Sequence, residues 1–350
     1  MILVLDVPGF RLGRKSNRII VRFKNDDKEE KKEVPIVDLD VVIVSARGSI
    51  STDATRLLSL HNIPIVFACA YSPYAVLHPF FMHGTVLTRR EQIVAFYDER
   101  GVYLAKAFCW ATTMNKVRVL NYFSKSRSYD EGLSEKLREC AARIEELCVR
   151  IRDTEGSLER IRPVIMGYEG EAANIYFDAL KLLLPEDVGF KGRERRPPRD
   201  PVNAILSYGY TILNAICTLS IAKCGLEPYA GFLHTDRSGK PSLILDLSEE
   251  FRQPLIDVMV VMLFSKKILH IDHFDFRDDG TVVLNKMGKS LFFTYFNERL
   301  EKKVKDPYGK LTTFRGAIMR QSRHLARYLL GIRNEYKPCL LYTSPSPRDS

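Results

Sequence analysis

The first 85 residues show the near-alternation of apolar and polar positions that is typical of β-strands. Three segments combine it with β-branched residues, and we predict strands at Ile2–Val7, Arg18–Phe23 and Val34–Ser45. The mixed charges of Lys24–Glu33 predict a solvated hairpin loop. Ser51 or Thr52 can cap a short helix, and a buried strand is expected at Ile63–Ala68. Residues 1–85 are therefore predicted to form a small β-rich domain.

From about Leu87 the apolar positions recur every three to four residues, which is typical of helices. The segments long enough to be helices are Arg89–Asp98, Val102–Phe123, Ser134–Arg152, Glu169–Leu184, Pro201–Lys223, Leu243–Lys267, Lys286–Lys305 and Leu311–Leu330. Asp200-Pro201 is a typical helix start, and Gly225 stands where a helix commonly ends. A hairpin is expected within residues 271–284. The chain is thus predicted to be α+β, with a larger, mostly α-helical domain over residues 86–338.

Two segments need a separate interpretation. Pro201–Ala222 is long enough for a membrane span, but several polar residues interrupt it, and a buried helix explains it better. Cys339–Asp349 looks like the translation of a sequencing adapter, so we expect residues 339–350 to be a non-native tail. The N-terminus has no cationic leader, and the cysteines show no zinc spacing. We therefore expect a cytoplasmic protein with no membrane association and with reduced thiols.

The charge of the chain favours an anionic partner. Its formal net charge is +10 and its isoelectric point is about 9.2. Such a surplus of Lys and Arg suits nucleic acid or an anionic membrane surface. A protein that is merely basic is the alternative, and charge alone does not decide between them.

The first candidate for chemistry is Glu169, which stands between two glycines at the expected start of a helix, with two alanines following. Small neighbours let another backbone or a nucleic-acid strand come close. The alternative is a glutamate that interacts with the helix dipole.

The second group of candidates is His234 with the acids of the following helix. Pro241 can open a helix that carries Asp246 and Glu249 on one face, three residues apart. Imidazole and carboxylates are ligands for a divalent metal, and Mg²⁺ or Mn²⁺ suits an oxygen-rich site beside phosphate. A structural histidine and solvent-facing acids are the alternative.

Basic residues cluster in two places. One is the proline-stiffened loop before Pro201, and the other is the last predicted helix. Both suit phosphate contact, although each also suits a solvated surface. The candidate DNA-binding residues are Arg193, Arg195, Arg196, Arg199, Arg252, Arg315, Arg320, Arg323 and Arg327.

Several motifs in order resemble the CRISPR-associated integrase and endonuclease family Cas1, which acts in spacer acquisition. These motifs are Gly167–Ala173 with Tyr176, Arg195–Tyr210, Gly231–His234, Pro241–Arg252, and Thr313–Arg315 with Gln321 and Arg323. The resemblance covers Met1 to about Gly331. The departures are mild: Ser248 stands where a bulkier residue is common, and Tyr168 replaces a frequent aliphatic residue.

The resemblance implies a sandwich-like N-terminal domain that makes a homodimer, and a helical domain that holds the metal. Glu169, His234 and Glu249 take the catalytic and metal-binding positions, with Asp246 as an adjacent acid that can assist. The implied cofactor is Mg²⁺ or Mn²⁺, and the implied partners are spacer DNA, the CRISPR repeat and a bridging Cas2 dimer.

The implied reaction is a transesterification that joins the 3′-hydroxyl ends of spacer DNA to the repeat in a prokaryotic cytoplasm. His234 is implied either as a ligand or as a group that acts on the leaving group. Two alternatives stay open: an integrase of a casposon-like transposon, and a catalytically silent DNA-binding scaffold.

Overall fold

The computed structural model describes residues 1–25, 28–69, 72–79, 86–194 and 197–341. Their strands are β1 Ile2–Leu5, β2 Phe10–Lys15, β3 Arg18–Asn25, β4 Lys28–Pro35, β5 Val41–Val44, β6 Gly48–Ile50, β7 Ile65–Cys69, β8 Ser72–Leu77, β9 Phe274–Phe276, β10 Val282–Leu284, β11 Lys303–Lys305 and β12 Leu311–Thr313. The α-helices are α1 Thr52–Leu60, α2 Val86–Ala95, α3 Glu99–Ser126, α4 Glu131–Asp153, α5 Leu158–Lys181, α6 Pro201–Lys223, α7 Ser242–Phe251, α8 Val258–Ser265, α9 Lys286–Glu301 and α10 Phe314–Leu329. The α+β prediction, strands first and helices after, is confirmed.

The N-terminal strands form two four-stranded sheets. One has the order β1-β5-β7-β8, with β1, β5 and β7 parallel, and the other has the order β4-β3-β2-β6. The apolar faces of both sheets share one buried cluster that includes Leu5, Leu12, Ile19 and Val42. Burial of two such faces against each other is what makes a sandwich stable.

The prediction of a solvated loop over Lys24–Glu33 is wrong for most of that segment. Residues 28–35 form β4, which pairs antiparallel with β3 along its whole length. β4 is an edge strand, and its Glu and Lys side chains are exposed from Glu29 to Lys32. Charge on an edge strand hinders pairing with other chains, so the composition that suggests a loop is that of a protected sheet edge.

α6 is the central buried helix of the second domain. Its bounds match the predicted Pro201–Lys223, since Asp200 accepts a hydrogen bond from the Asn203 N–H at 2.8 Å and Gly225 adopts a positive φ of 71°. Among the described residues it is the single helix long and apolar enough to cross a membrane, and 83% of its apolar window is buried inside the protein. That burial marks α6 as a core helix.

The predicted helix Leu243–Lys267 is interrupted. α7 and α8 are joined by a π-helical segment, Arg252–Asp257. Pro254 has no N–H to donate to the carbonyl of Glu250, four residues earlier. The Asn115 side-chain amide of α3 donates to that carbonyl instead, at 2.9 Å.

Part of the segment after the last helix packs onto the helical domain. Cys339 and Leu341 are buried, and the Cys339 N–H donates to Glu250 Oε2 at 2.7 Å. Residues 342–350 lie outside the described part of the chain. The non-native origin of residues 339–350 stays a prediction. Of these residues, Cys339 and Leu341 are buried against the helical domain, and Cys339 is hydrogen-bonded to Glu250.

Candidate active site

Glu169 lies in the middle of α5 and not at its start. The prediction of a helix beginning at Glu169 is wrong because α5 continues through Pro163 back to Leu158. Burial of Leu158, Ile161 and Ile165 stabilises those first turns and offsets the hydrogen bond that the proline loses. At Gly167 and Gly170, apart from the adjacent residues and the backbone of α5 itself, no described atom lies within 4 Å of where a Cβ would stand, so the helix face beside Glu169 is open to an approaching strand.

Glu169 is paired with a buried lysine of α3. Lys116 Nζ lies 2.8 Å from Glu169 Oε1, and the exposed fractions of the two side chains are 2% and 19%. The same ammonium donates to Thr112 Oγ1 at 3.2 Å, and the Thr112 hydroxyl donates to Glu249 Oε2 at 3.1 Å. A continuous chain of polar contacts therefore links Glu169 of α5 to Glu249 of α7.

Glu249 is buried and has a cation of its own. Its Oε1 contacts Arg252 Nη1, one turn along the same chain segment. The Arg252 guanidinium also lies over the ring of Tyr210, 4.9 Å from its centroid. Both carboxylates of the candidate site are thus already compensated by positive charges of the protein.

His234 is fixed by Asp246, the fully buried acid of α7. Asp246 Oδ1 lies 2.7 Å from His234 Nδ1 and accepts the His234 backbone N–H at 2.9 Å. Asp246 Oδ2 accepts the N–H groups of Phe232 at 2.6 Å and Leu233 at 3.1 Å. In a neutral imidazole, a proton on Nδ1 that faces the Asp246 carboxylate leaves the lone pair on Nε2. These contacts make Asp246 the group that positions His234, and they occupy both of its oxygens.

The loop before His234 is held from the other side by α5. Buried Arg162 donates to the carbonyls of Phe232 at 2.5 Å and Gly231 at 3.2 Å, and burial lowers its pKa. A Cβ at Gly231 would stand 2.6 Å from the Cβ of Ser242, so only glycine fits there. No local sequence pattern indicated Arg162, which lies in the part of α5 that the helix prediction missed.

The donor types fit Mg²⁺ or Mn²⁺, but their positions form no ready ligand cage. Among the described residues, no group of three or more His, Cys, Asp or Glu side chains could hold a metal ion. The structure joins Glu169 and Glu249 through Lys116 and Thr112, and it places His234 against the helix that carries Glu249. It does not bring the three predicted side chains into a shared metal-binding group, so the metal site stays a prediction.

Two further buried acids adjoin the site, and neither was a sequence candidate. Burial raises the pKa of Glu250 to about 8, although the Tyr336 hydroxyl donates to it at 2.6 Å. Burial also raises the pKa of Asp257 to about 6, with the hydroxyls of Tyr176 and Tyr210 donating at 3.0 and 2.6 Å. An acid within the apolar run after Pro254 was the available signal for Asp257.

The candidate DNA-binding arginines fall into three groups. Arg195 and Arg196 lie outside the described residues. Internal partners engage Arg193 (Asn203), Arg252 (Glu249), Arg315 (Asp40 and Glu301) and Arg320 (Asp306). The exposed ones are Arg199, Arg323 and Arg327. Arg199 Nε also lies 3.5 Å from Glu194 Oε1 in an exposed ion pair. The contact with DNA stays a prediction for all of these arginines.

A basic cavity of about 960 Å³ lies between α3 and the hairpin β11–β12. Its cationic lining residues are Arg118, Lys302, Lys303, Lys305 and Lys337. Trp110 and the C-terminal residues Pro338 and Leu340 complete the wall. The sequence did not indicate this surface because its cations come from separate segments.

Known proteins are similar to this chain in both sequence and fold. The family model described as CRISPR associated protein Cas1 matches residues 3–298. The chain is 33% identical over 343 residues to the CRISPR-associated endonuclease Cas1 1 of Archaeoglobus fulgidus. This match covers 95% of this chain and 97% of that protein.

Two solved structures are informative. A casposase bound to its integration product has a TM-score of 0.83 and 25% identity, and the match covers 96% of this chain and 92% of that one. A chain of a Cas6-RT-Cas1–Cas2 complex has a TM-score of 0.79 and 20% identity, over 97% of this chain and 36% of that one. The second likeness shows the fold alone.

Proposed function

Because this chain belongs to the Cas1 family of CRISPR-associated proteins, we propose that it is a divalent-metal-dependent DNA integrase of CRISPR adaptation. The 3′-hydroxyl of spacer DNA attacks a phosphodiester of the repeat, a new O–P bond forms, and the repeat strand leaves as a free 3′-hydroxyl. One phosphodiester replaces another, so the reaction needs no nucleotide hydrolysis.

The chain of contacts between Glu169 and Glu249 is the observation that carries this proposal. Three helices place two carboxylates, a lysine and a threonine in one largely buried cluster. Burying charged groups costs stability that apolar residues of similar size would not cost. A cluster of this kind beside an open helix face is typical of a reaction site.

The residues of the chain have distinct roles in this proposal. Glu169, Glu249 and His234 would hold Mg²⁺ or Mn²⁺, which when bound supplies positive charge to the scissile phosphate. Asp246 holds the His234 ring through Nδ1, which leaves Nε2 as the ring nitrogen for a ligand. The open positions at Gly167 and Gly170 leave room for the DNA backbone next to Glu169.

The partners proposed are DNA, a second copy of this chain and a Cas2 dimer. The net charge of +10 and the exposed arginines support DNA. A structurally similar chain comes from a complex that contains Cas2. Support for the homodimer comes from exposed apolar side chains near the domain junction, which are Tyr74, Leu77, Val86, Leu87, Ile93, Val94 and Tyr97.

A strand-transfer assay tests the proposal. Labelled spacer DNA with 3′-hydroxyl ends is incubated with a repeat-containing duplex, with Mg²⁺, with Mn²⁺ or with EDTA. We expect joined product only with a divalent ion, and none from Glu169→Ala or Glu249→Ala. The matched control is Glu171→Ala, because Glu171 is an exposed acid on the same helix. Full joining by both site variants would refute the site, whereas binding of DNA by the wild type without any joined product would favour the scaffold alternative.

A casposon-like transposon integrase is the second candidate. The likeness to a casposase bound to its integration product favours it, since that match covers nearly all of this chain. The two functions differ in substrate and not in chemistry. Donor DNA with terminal inverted repeats, compared with donor DNA without them, decides: a strong preference for the inverted repeats supports the transposon integrase.

A further inference from the structure

The ammonium of Lys116 lies inside the candidate active site, although no sequence motif contains it. Its side chain is 2% exposed, and its contacts are Glu169 Oε1 at 2.8 Å and Thr112 Oγ1 at 3.2 Å. Thr112 continues the chain to Glu249. Lys116 is therefore the cation through which the two carboxylates are connected.

A buried ammonium is expensive unless it is paired, because the ion loses its hydration when it leaves water. The neighbours of Lys116 on α3, Val117, Val119 and Leu120, are apolar and buried. An apolar side chain at this position would pack among them without that cost. The pairing with Glu169 is thus the physical reason that a lysine is tolerated here.

We propose that Lys116 is the internal counter-ion of the active site, and that a hard divalent cation reaches Glu169 only by displacing its ammonium. Two cations at the same carboxylate repel each other strongly in a partly desolvated site. Lys116 positions Glu169, and through Thr112 also Glu249, while no metal is bound, and it lowers the affinity of the site for metal. This inference rests on the proposed function, since it takes Glu169 as a metal ligand.

Calorimetric titration of the full chain with MnCl₂, in the absence of DNA, tests the inference. The proteins compared are the wild type, Lys116→Gln, Lys106→Gln and Glu169→Ala. Lys106 is the matched control, because it lies on the same helix and donates to the Thr154 carbonyl at 2.9 Å, away from the carboxylates. We expect Lys116→Gln to bind Mn²⁺ about tenfold more tightly, which is the coupling typical of a close, partly buried charge pair.

The remaining variants separate the two proposals. Lys106→Gln should bind Mn²⁺ as the wild type does, and Glu169→Ala should lose the binding. If Glu169→Ala binds Mn²⁺ normally, the metal site of the proposed function is wrong. If Glu169→Ala loses binding while folded Lys116→Gln binds with unchanged or weaker affinity, the role of Lys116 is wrong and the metal site stands.

A second measurement uses the wild-type protein and does not depend on the folding of Lys116→Gln. In protein labelled with ¹⁵N-lysine, a buried and paired ammonium gives a protected Nζ signal, which Lys116→Arg assigns by its loss. We expect Mg²⁺ to shift this signal or to broaden it beyond detection. A signal that stays unchanged at saturating Mg²⁺ overturns the displacement.

Discussion

Replacing Asp257 by Asn is expected to make the helical domain more stable at neutral pH, although it removes a hydrogen-bonded acid. Asp257 is fully buried between Tyr176 and Tyr210, and burial raises its pKa from 3.8 to about 6. The folded protein therefore takes up the proton more readily than the unfolded chain. Stability from this residue is present below about pH 4 and is lost as the pH rises to about 6.

The size of the effect follows from the pKa shift. A shift of about two units corresponds to about 3 kcal/mol between the two protonation states. Asn cannot ionise, so the variant does not lose stability at this position as the pH rises to about 6. One tyrosine hydroxyl must turn to accept from the new amide, and the second can still donate. We expect the free energy of unfolding of Asp257→Asn to exceed that of the wild type by up to about 3 kcal/mol at pH 7.5, with little or no excess at pH 4.

Thermal unfolding at a series of pH values between 4 and 8 measures the difference. For a domain of this size, about 3 kcal/mol corresponds to a rise in Tm of about 6 °C. Asp236→Asn is the control, because Asp236 is exposed. A difference between Asp257→Asn and the wild type that does not change with pH would refute the reasoning.

Three further outcomes follow from the contacts described. Asp246→Asn should abolish strand transfer and destabilise the protein by about 2–4 kcal/mol, because the new side-chain NH₂ group is a donor placed against backbone N–H donors. Unfolding and strand-transfer assays check this prediction, and wild-type values in both would contradict it. Arg323→Gln with Arg327→Gln should reduce the slope of log Kd against log salt for duplex DNA by about 2, and an unchanged slope would exclude both arginines as phosphate contacts. Deleting residues 339–350 removes the Cys339 N–H from Glu250 and should cost about 1–3 kcal/mol of stability, whereas an unchanged Tm would show that this segment does not pack in solution.

Features that depend on neighbours in sequence were predictable. The bounds of α6 follow from Asp200, Pro201 and Gly225, which act within one turn of the helix ends. The hairpin β9–β10 lies within the residues predicted for it. The α+β order of the chain also follows from the local period of apolar residues.

Features that depend on distant partners were not predictable from the sequence. The π-helical segment is stabilised by Asn115, which is far from Pro254 along the chain. The start of α5 was missed because tertiary burial outweighs the effect of Pro163. Glu169, His234 and Glu249 were predicted as site residues through a family resemblance, and their role stays a prediction. Lys116 has no local signature, since its partner Glu169 is 53 residues away.

The π-helical segment makes the register between α7 and α8 depend on the local number of residues. Each residue of a regular α-helix turns the chain by about 100°. A π-helical turn bonds residues five apart and therefore holds about one residue more than an α-helical turn. The segment Arg252–Asp257 accommodates that residue locally, so Asp257 contacts Tyr176 and Tyr210 while Glu249 keeps its own face of α7. Because Pro254 cannot form the regular hydrogen bond to Glu250, the wide turn is the conformation in which these two faces coexist.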